Sequence, residues 1–166
     1  MKADSSVCIV PGSFDPITYG HIDLVRRAMA DYSVVYLAIM INPAKEYLFN
    51  LEERKAIAEA ALSDYPSVRV ITSEGMLWKL AQDLHANAIV KGYRNQTDYQ
   101  YEQEMAAFNS AHYPPAKTVL LPASDALESF SSTLVRDRLT RGESIEEFMP
   151  KKALLTLERI LNARRS

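Results

Sequence analysis

The sequence predicts an α/β fold in which a five-stranded parallel sheet carries helices on both faces. Five short apolar runs rich in β-branched residues recur along the chain, and patterns typical of amphipathic helices fall between them. Strands that alternate with helices form right-handed βαβ units, which make the strands parallel and cover the sheet on both sides. The length of 166 residues favours one domain over residues 1–166.

The predicted strands are the five apolar runs themselves. They are Val7–Val10, Val34–Ile41, Val68–Ile71, Ala88–Val90 and Thr118–Leu121. The first run contains Cys8, the one cysteine of the chain, which therefore has no partner for an intrachain disulfide. A cysteine inside an apolar strand is more typical of packing than of a reactive thiol.

Two helices are predicted after the first two strands. Apolar residues recur at spacings of three and four from Ile22 onwards, as on the buried side of a helix. Leu51–Leu62 has the same periodicity, and Asn50 and Glu53 before and within it have the spacing of a capping box. These signals give both the position and the start of the second helix.

Three more helices are predicted in the second half of the chain. Thr97 and Gln100 repeat the capping-box spacing ahead of an apolar pattern. Further helices are expected from Ser132 to Arg141 and from Lys151 to Asn162. Each predicted strand is thus followed or preceded by a helix long enough to cover the sheet.

Charge and hydropathy disfavour two classes of partner. The formal net charge is −2, so no global positive field draws the protein to nucleic acid or to an acidic membrane. No apolar stretch approaches the length of a membrane span, and the first ten residues do not have the pattern of a secretory signal. We therefore expect a cytoplasmic protein whose anionic ligands are held by a local cluster of positive groups.

Residues of unusual chemistry follow four of the five predicted strands. The carboxyl ends of parallel strands meet at one edge of a sheet, where ligands bind beside the switch in strand order. Four segments fall at this edge, and they contain glycines, hydroxyl groups, cations and a histidine: Pro11–His21, Asn42–Lys45, Lys91–Arg94 and Ser129–Thr133. This set of groups predicts a phosphate site.

The segment Pro11–His21, with the sequence PGSFDPITYGH, is the most specific of the four. Gly12 allows a close approach of backbone to ligand, and Ser13 offers a hydroxyl group and an amide. If Thr18 caps the next helix, His21 falls in its first turn, where free amides and the helix dipole favour an anion. A lone Gly-x-His would favour an ordinary turn with a half-exposed histidine, but the whole string is far more specific.

The charged residues at this edge also have ordinary interpretations. Lys91 and Arg94 taken alone are typical of a solvated pair of cations. Lys45 alone is typical of a surface lysine, and Glu102 of a polar residue on a helix. Only their shared position at one sheet edge favours a role in ligand binding.

The hydroxyl cluster Ser131–Thr133 has two compatible interpretations. It can cap the helix that follows it, and it can form an anion cradle with Arg136 one turn further on. Both uses depend on the same free amides, so the sequence does not choose between them.

Together these segments resemble the bacterial nucleotidyltransferase superfamily, whose first motif is G-x-F-D-x-x-[HT]-x-G-H. Gly12 to His21 match it, with Thr18 where many relatives have a first histidine. That threonine, the string KGYRNQTDYQYE, the F-S-S-T run and the chain length resemble the phosphopantetheine adenylyltransferases, from Val7 to about Pro150. The resemblance implies a Rossmann-like dinucleotide-binding fold, a magnesium-dependent reaction and a homohexamer.

The implied reaction moves the adenylyl group of ATP to 4′-phosphopantetheine and gives dephospho-coenzyme A and pyrophosphate, the penultimate step of coenzyme A synthesis. Its implied course is direct in-line attack of the 4′-phosphate on the α-phosphorus, without a general base. Three other functions stay open. A nicotinate or nicotinamide mononucleotide adenylyltransferase, or a cytidylyltransferase, would favour histidine at Thr18, and a nucleotide-binding regulator on this fold would bind without turnover.

The resemblance also implies roles for individual residues. The catalytic group is His21, which stabilises the transition state, with Lys45 and Arg94. The residues implied for ATP are Ser13, Phe14, His21, Gly92, Tyr93, Arg94, Glu102, Leu127, Glu128, Ser129, Phe130, Ser131, Ser132 and Thr133. The residues implied for phosphopantetheine are Ser13, Lys45, Leu77 and Lys91, and no residue is predicted to ligate a metal.

Three positions depart from the usual family pattern. Lys91 stands where arginine is usual, so a two-pronged phosphate contact becomes a point charge and binding is expected to be weaker or differently angled. Tyr93 replaces a usual leucine and Gln100 a usual glutamate. We expect these changes to affect details of the pocket and not the class of reaction.

Overall fold

The structure, a computed structural model, describes residues 6–124 and 130–165 and has the predicted α/β architecture. Five strands form one sheet in the order β3-β2-β1-β4-β5, and every neighbouring pair is parallel. The bounds of the strands are β1 Val7–Gly12, β2 Val34–Met40, β3 Val68–Ser73, β4 Ala88–Tyr93 and β5 Lys117–Pro122. The Rossmann-like fold that the resemblance implied is therefore confirmed.

The first four helices alternate with these strands, and the other two that the structure describes follow β5. They are α1 Tyr19–Asp31, α2 Leu51–Ala61, α3 Leu77–Asp83, α4 Gln96–His112, α5 Ser132–Thr140 and α6 Lys151–Arg164, with a 3-10 turn at Glu146–Phe148. The sequence did not predict α3, because seven residues make too few turns for a clear periodicity. Among the described residues, no helix is both long and apolar enough to cross a membrane.

One of the two predicted capping boxes is correct. The Asn50 side chain accepts a hydrogen bond from the Glu53 amide at 2.8 Å, and the Glu53 carboxylate accepts one from the Asn50 amide at 2.9 Å. The predicted box at Thr97 is wrong, because α4 already begins at Gln96 and its N-cap is Asn95. The Asn95 side chain accepts from the Asp98 amide at 2.9 Å, so it is the residue that satisfies the first turn.

Two apolar layers cover the sheet, as predicted. On one face Cys8 and Val10 pack against residues of α1, α2, α5 and α6. On the other face Ile9, Ala38 and Ile89 pack against α3 and its flanking segments. Burial, with a smaller contribution from Asp31, raises the pKa of the Cys8 thiol to about 12. Cys8 is therefore a packing residue, because the reactive thiolate is absent at neutral pH.

The sheet opens at the switch in strand order, between β1 and β4. These strands are in register only at Cys8–Ala88 and Ile9–Ile89, near their amino ends. In contrast, β1 with β2 and β4 with β5 remain in register up to the carboxyl ends at Gly12 and Tyr93. The edge of the sheet at which ligands were expected is therefore divided by a gap, and this gap positions the site.

Candidate active site

A cleft of about 450 Å³ occupies the gap at the carboxyl ends of β1 and β4. It brings together residues from all four predicted segments and from α4. The predicted site residues that line it are Ser13, Phe14, His21, Lys45, Lys91, Gly92, Tyr93, Arg94, Glu102, Phe130, Ser131, Ser132 and Thr133. Lys45 is exposed, as expected of a surface lysine, but it also borders the cleft.

Four of the predicted site residues are not part of this lining. Leu77 is the first residue of α3 and packs, half-buried, against the core cluster that contains Ile9. Its predicted place on the pantetheine side therefore stays a prediction. Leu127, Glu128 and Ser129 lie outside the described residues.

The loop after β1 holds Phe14 in an unusual backbone conformation. Phe14 has a φ of 49°, and its ring is buried at 3 % exposure. The ring lies so close to the backbone of β1 that a Cβ on Gly12 would stand 2.9 Å from the Phe14 Cζ atom. Only glycine fits at position 12 without moving this buried ring.

We predict that Gly12→Ala lowers the free energy of unfolding by about 1 to 3 kcal/mol, the usual cost of overpacking a close-packed site. Urea unfolding measures the loss. Gly75→Ala is the matched control, because a Cβ there meets no atom within 4 Å. Equal stability of the two variants would contradict the role of the Phe14 ring.

His21 is held in the first turn of α1 by the backbone of Thr18. The Thr18 amide donates to His21 Nδ1 at 3.0 Å, and the Thr18 hydroxyl donates to the Phe130 carbonyl at 2.8 Å. Because Nδ1 accepts this hydrogen bond, the proton of the neutral ring is on Nε2. His21 therefore offers an N–H donor to a ligand in the cleft that it lines.

The surroundings of His21 keep its imidazole neutral. Burial, and next the positive charge of Arg94, lower the pKa of His21 from 6.5 to about 4. Both causes depend on contacts between segments, burial among other elements and a cation from the loop after β4, so the sequence pattern does not show them.

We predict that an NMR titration of the ligand-free protein gives a midpoint near pH 4 for His21, assigned by comparison with His21→Gln. The folded pKa lies below the unfolded value, so the unfolded chain binds the proton first as the pH falls. The contribution of His21 to stability is thus complete above pH 6.5 and is lost between about pH 6.5 and 4. A midpoint at or above 6.5 would show that the ring is solvated.

The two cations at the carboxyl end of β4, Lys91 within the strand and Arg94 just after it, have different environments. Lys91 forms an ion pair with Glu102 of α4, and both side chains are half-buried. Arg94 is exposed, and its Nε atom lies 3.6 Å from the Asp98 carboxylate. An incoming phosphate therefore competes with the half-buried Glu102 for Lys91 and with the more exposed Asp98 for Arg94.

The hydroxyl cluster Ser131–Thr133 lies at the start of α5 and has the first of its two predicted uses, that of a helix cap. The Ser131 hydroxyl caps the helix by accepting from the Leu134 amide at 3.1 Å. The Ser132 hydroxyl donates to the Pro16 carbonyl at 2.7 Å, which ties α5 to the first loop. No described group accepts from the amides of Ser132 and Thr133, so the first turn retains donors that an anion can bind.

Three residues of the cleft and its wall were not predicted. Asp15 lies in the quoted motif and is 2 % exposed, and its carboxylate accepts from the amides of Leu48 and Phe49 at 2.9 Å each. Arg27 lines the cleft from α1 and donates to the carbonyl of Pro122 at 2.8 Å. Arg54 lies buried behind the first loop. The motif could have identified Asp15, but nothing in the local pattern distinguishes the two arginines.

The chemistry of the cleft is that of an anion site. It combines exposed cations, free helix amides and a neutral imidazole that donates from Nε2. The nitrogen of His21 that would be oriented by a carboxylate in a Ser-His-Asp triad instead accepts from a backbone amide. The arrangement thus favours stabilisation of charge on phosphate oxygens over nucleophilic catalysis by a side chain.

The chain is similar to known nucleotidyltransferases over most of its length. Residues 9–138 match the family model described as cytidylyltransferase-like. A phosphopantetheine adenylyltransferase of Nitrosospira multiformis is 41% identical over 85% of this chain and 86% of its own, and one of Caldanaerobacter subterraneus is 38% identical over 87% and 90%. A bifunctional NMN adenylyltransferase/ADP ribose pyrophosphatase of Francisella tularensis has the same fold, with a TM-score of 0.64 at 16% identity, over 87% of this chain and 45% of that one.

Proposed function

Because the chain belongs to the cytidylyltransferase-like family and, more narrowly, to the phosphopantetheine adenylyltransferases, we propose that it transfers the adenylyl group of ATP to 4′-phosphopantetheine. The products are dephospho-coenzyme A and pyrophosphate, which makes this the penultimate step of coenzyme A synthesis. The observation that carries the proposal is the convergence of His21, Arg94 and the α5 amides on one cleft.

The reaction is a direct in-line displacement. The 4′-phosphate attacks the α-phosphorus of ATP, the new P–O bond forms, and the bond to pyrophosphate breaks. The nucleophile is already an anion, so no side chain has to remove a proton. The neutral His21 donates from Nε2 to a phosphate oxygen and stabilises the charge that builds in the transition state.

The cations bring together two substrates that repel each other. Arg94 and the amides of Ser132 and Thr133 bind the ATP phosphates, with Ser13 and Phe14 at the end of β1. Lys45 and Lys91, which also line the cleft, bind the phosphate of phosphopantetheine. Holding both anions in line supplies a large part of the rate enhancement.

Magnesium enters with ATP as part of the substrate. Among residues 6–124 and 130–165, no group of three His, Cys, Asp or Glu side chains is placed to hold a metal ion. The carboxylates near the cleft already have partners, as Asp15 has in two amides and Glu102 in Lys91. If Mg²⁺ is the ion of the ATP complex, as proposed, phosphate oxygens and water would supply its ligands.

We also propose a homohexamer that works in the cytoplasm, where ATP is supplied. Large apolar side chains are exposed on α4 and just before α3: Tyr101 is 58% exposed, Phe108 40% and Met76 50%. Contacts between copies of the chain would remove this apolar surface from water. Light scattering on the purified protein measures the mass of the assembly.

Release of pyrophosphate with Mg²⁺·ATP tests the reaction, with phosphopantetheine and nicotinate mononucleotide offered in parallel. Release with phosphopantetheine alone is expected. Release with the mononucleotide alone would support adenylyl transfer but contradict phosphopantetheine as the acceptor. ATP binding without release with either acceptor would favour a nucleotide-binding regulator.

A further inference from the structure

Arg54 of α2 is a buried cation, and all of its hydrogen bonds within residues 6–124 and 130–165 go to backbone carbonyls. It is the largest of the fully buried side chains, at 2 % exposure, and it forms no ion pair with any described carboxylate. Its Nε atom donates to the Phe49 carbonyl at 3.1 Å, and Nη1 donates to the carbonyls of Ser13 at 2.9 Å and Met40 at 3.3 Å. Its guanidinium also stacks 4.0 Å above the Tyr47 ring.

These three carbonyls lie in or next to the two loops that carry predicted phosphate ligands. Ser13 follows β1, whereas Met40 ends β2 and Phe49 lies two residues before α2. Met40 and Phe49 are therefore the two ends of the connection that contains Lys45. One guanidinium fixes both ends of the Lys45 loop to each other and to the loop of Ser13.

The hydrogen bond to Ser13 also orients the next peptide group. In a trans peptide unit the C=O and the following N–H point in opposite directions, so a Ser13 carbonyl turned towards Arg54 turns the Phe14 amide away from it. Arg54 does not line the cleft, whereas Phe14 does. No described group accepts a hydrogen bond from the Phe14 amide, which leaves this donor available to a ligand.

We propose that Arg54 is a positioning residue for adenylyl transfer: it aims the Phe14 amide into the cleft and sets the distance of the Lys45 loop from it. This proposal rests on the proposed function. Burial of a cation without a counter-ion is costly, and an apolar side chain would serve packing better. The planar fork of arginine, which reaches several acceptors at once, accounts for a cation here.

The test compares Arg54→Lys with Arg54→Met, and Arg138→Lys is the matched control. Arg138 also lies over an aromatic ring, at 5.1 Å from that of Phe148, and donates to a carbonyl, but it does not line the cleft. Lysine keeps the charge at position 54 but cannot bridge three carbonyls. We expect Arg54→Lys to lower kcat ten- to a hundredfold while KM for ATP stays within threefold of the wild-type value. Arg54→Met is expected to lower kcat further. Arg138→Lys is expected to keep the wild-type kcat.

A second readout is independent of turnover. The chain has five phenylalanines, so a protein labelled with ¹⁵N-phenylalanine gives five amide signals, and Phe14→Leu identifies that of Phe14. Inorganic pyrophosphate is expected to shift the Phe14 signal in the wild type and to shift it at most half as far in Arg54→Lys.

Each outcome decides between positioning and packing. A kcat of Arg54→Lys within twofold of the wild type, or a pyrophosphate shift equal to that of the wild type, overturns the proposal. So does unfolding of both variants at 15 °C, because the role is then purely structural. If the wild type itself releases no pyrophosphate, the proposed function fails, and the Phe14 signal alone decides the role of Arg54.

Discussion

His21→Ala is expected to lower kcat about a hundred- to a thousandfold, which corresponds to about 3 to 4 kcal/mol of lost transition-state stabilisation. His21 is neutral, its Nδ1 atom is occupied by the Thr18 amide, and its remaining N–H faces the cleft. A donor fixed in this way needs no reorganisation when charge builds on a phosphate oxygen. Alanine removes the donor and leaves the cations in place, so KM for ATP is expected to change much less than kcat.

Steady-state release of pyrophosphate measures the effect, and His112→Ala is the control. His112 stacks on Trp78 between α3 and α4 and does not line the cleft. We expect this variant to keep kcat within twofold. A kcat of His21→Ala within a few-fold of the wild type would refute the assignment of His21 as the main charge-stabilising side chain.

Asp15→Asn is expected to lower the free energy of unfolding by about 2 to 4 kcal/mol, from the usual strength of hydrogen bonds to charged groups and the cost of an unpaired buried donor. The buried carboxylate accepts from two successive amides, those of Leu48 and Phe49. An asparagine of the same shape has only one acceptor oxygen and turns an NH₂ group towards the other amide. The Asp15 carboxylate also lies 3.9 Å from the Arg136 guanidinium, and that charge interaction is lost as well.

Chemical unfolding followed by circular dichroism measures this loss. Asp64→Asn is the matched control, because Asp64 forms an ion pair with Lys152 with its side chain 81% exposed. The free energy of unfolding of Asp64→Asn is expected to fall by less than about 1 kcal/mol, the usual limit for an exposed ion pair. Similar losses of stability in the two variants would show that the amides of Leu48 and Phe49 find other acceptors when asparagine replaces Asp15.

The sheet and the location of the site were predictable because both depend on local patterns. Apolar runs such as Val34–Ile41 identify buried strands by composition alone, and parallel strands place their carboxyl ends at one edge. Pro11–His21 and Lys91–Arg94 could therefore be assigned to one cleft before their contacts were known. The Asn50 cap was predictable for the same reason, since both partners lie within four residues.

The features of the site that the sequence did not predict depend on contacts between residues far apart in the sequence. Arg54 reaches Ser13 across 41 residues, and Thr18 reaches Phe130 across 112, so no periodicity reports either hydrogen bond. The burial that lowers the pKa of His21 comes from packing against other segments, which helix position alone does not show. At α4 the error was local, because Asn95 lay two residues before the box that the pattern favoured.

The short register between β1 and β4 has a consequence for how the molecule unfolds in parts. It divides the sheet into a three-stranded unit and a two-stranded unit that share few backbone hydrogen bonds, so their separation costs less than global unfolding. A substrate that contacts both units stabilises the pairing of β1 with β4. Saturating ligand, at about 100 times its Kd, adds roughly 2.7 kcal/mol to the closed state, and amide exchange in β4 and β5 slows accordingly.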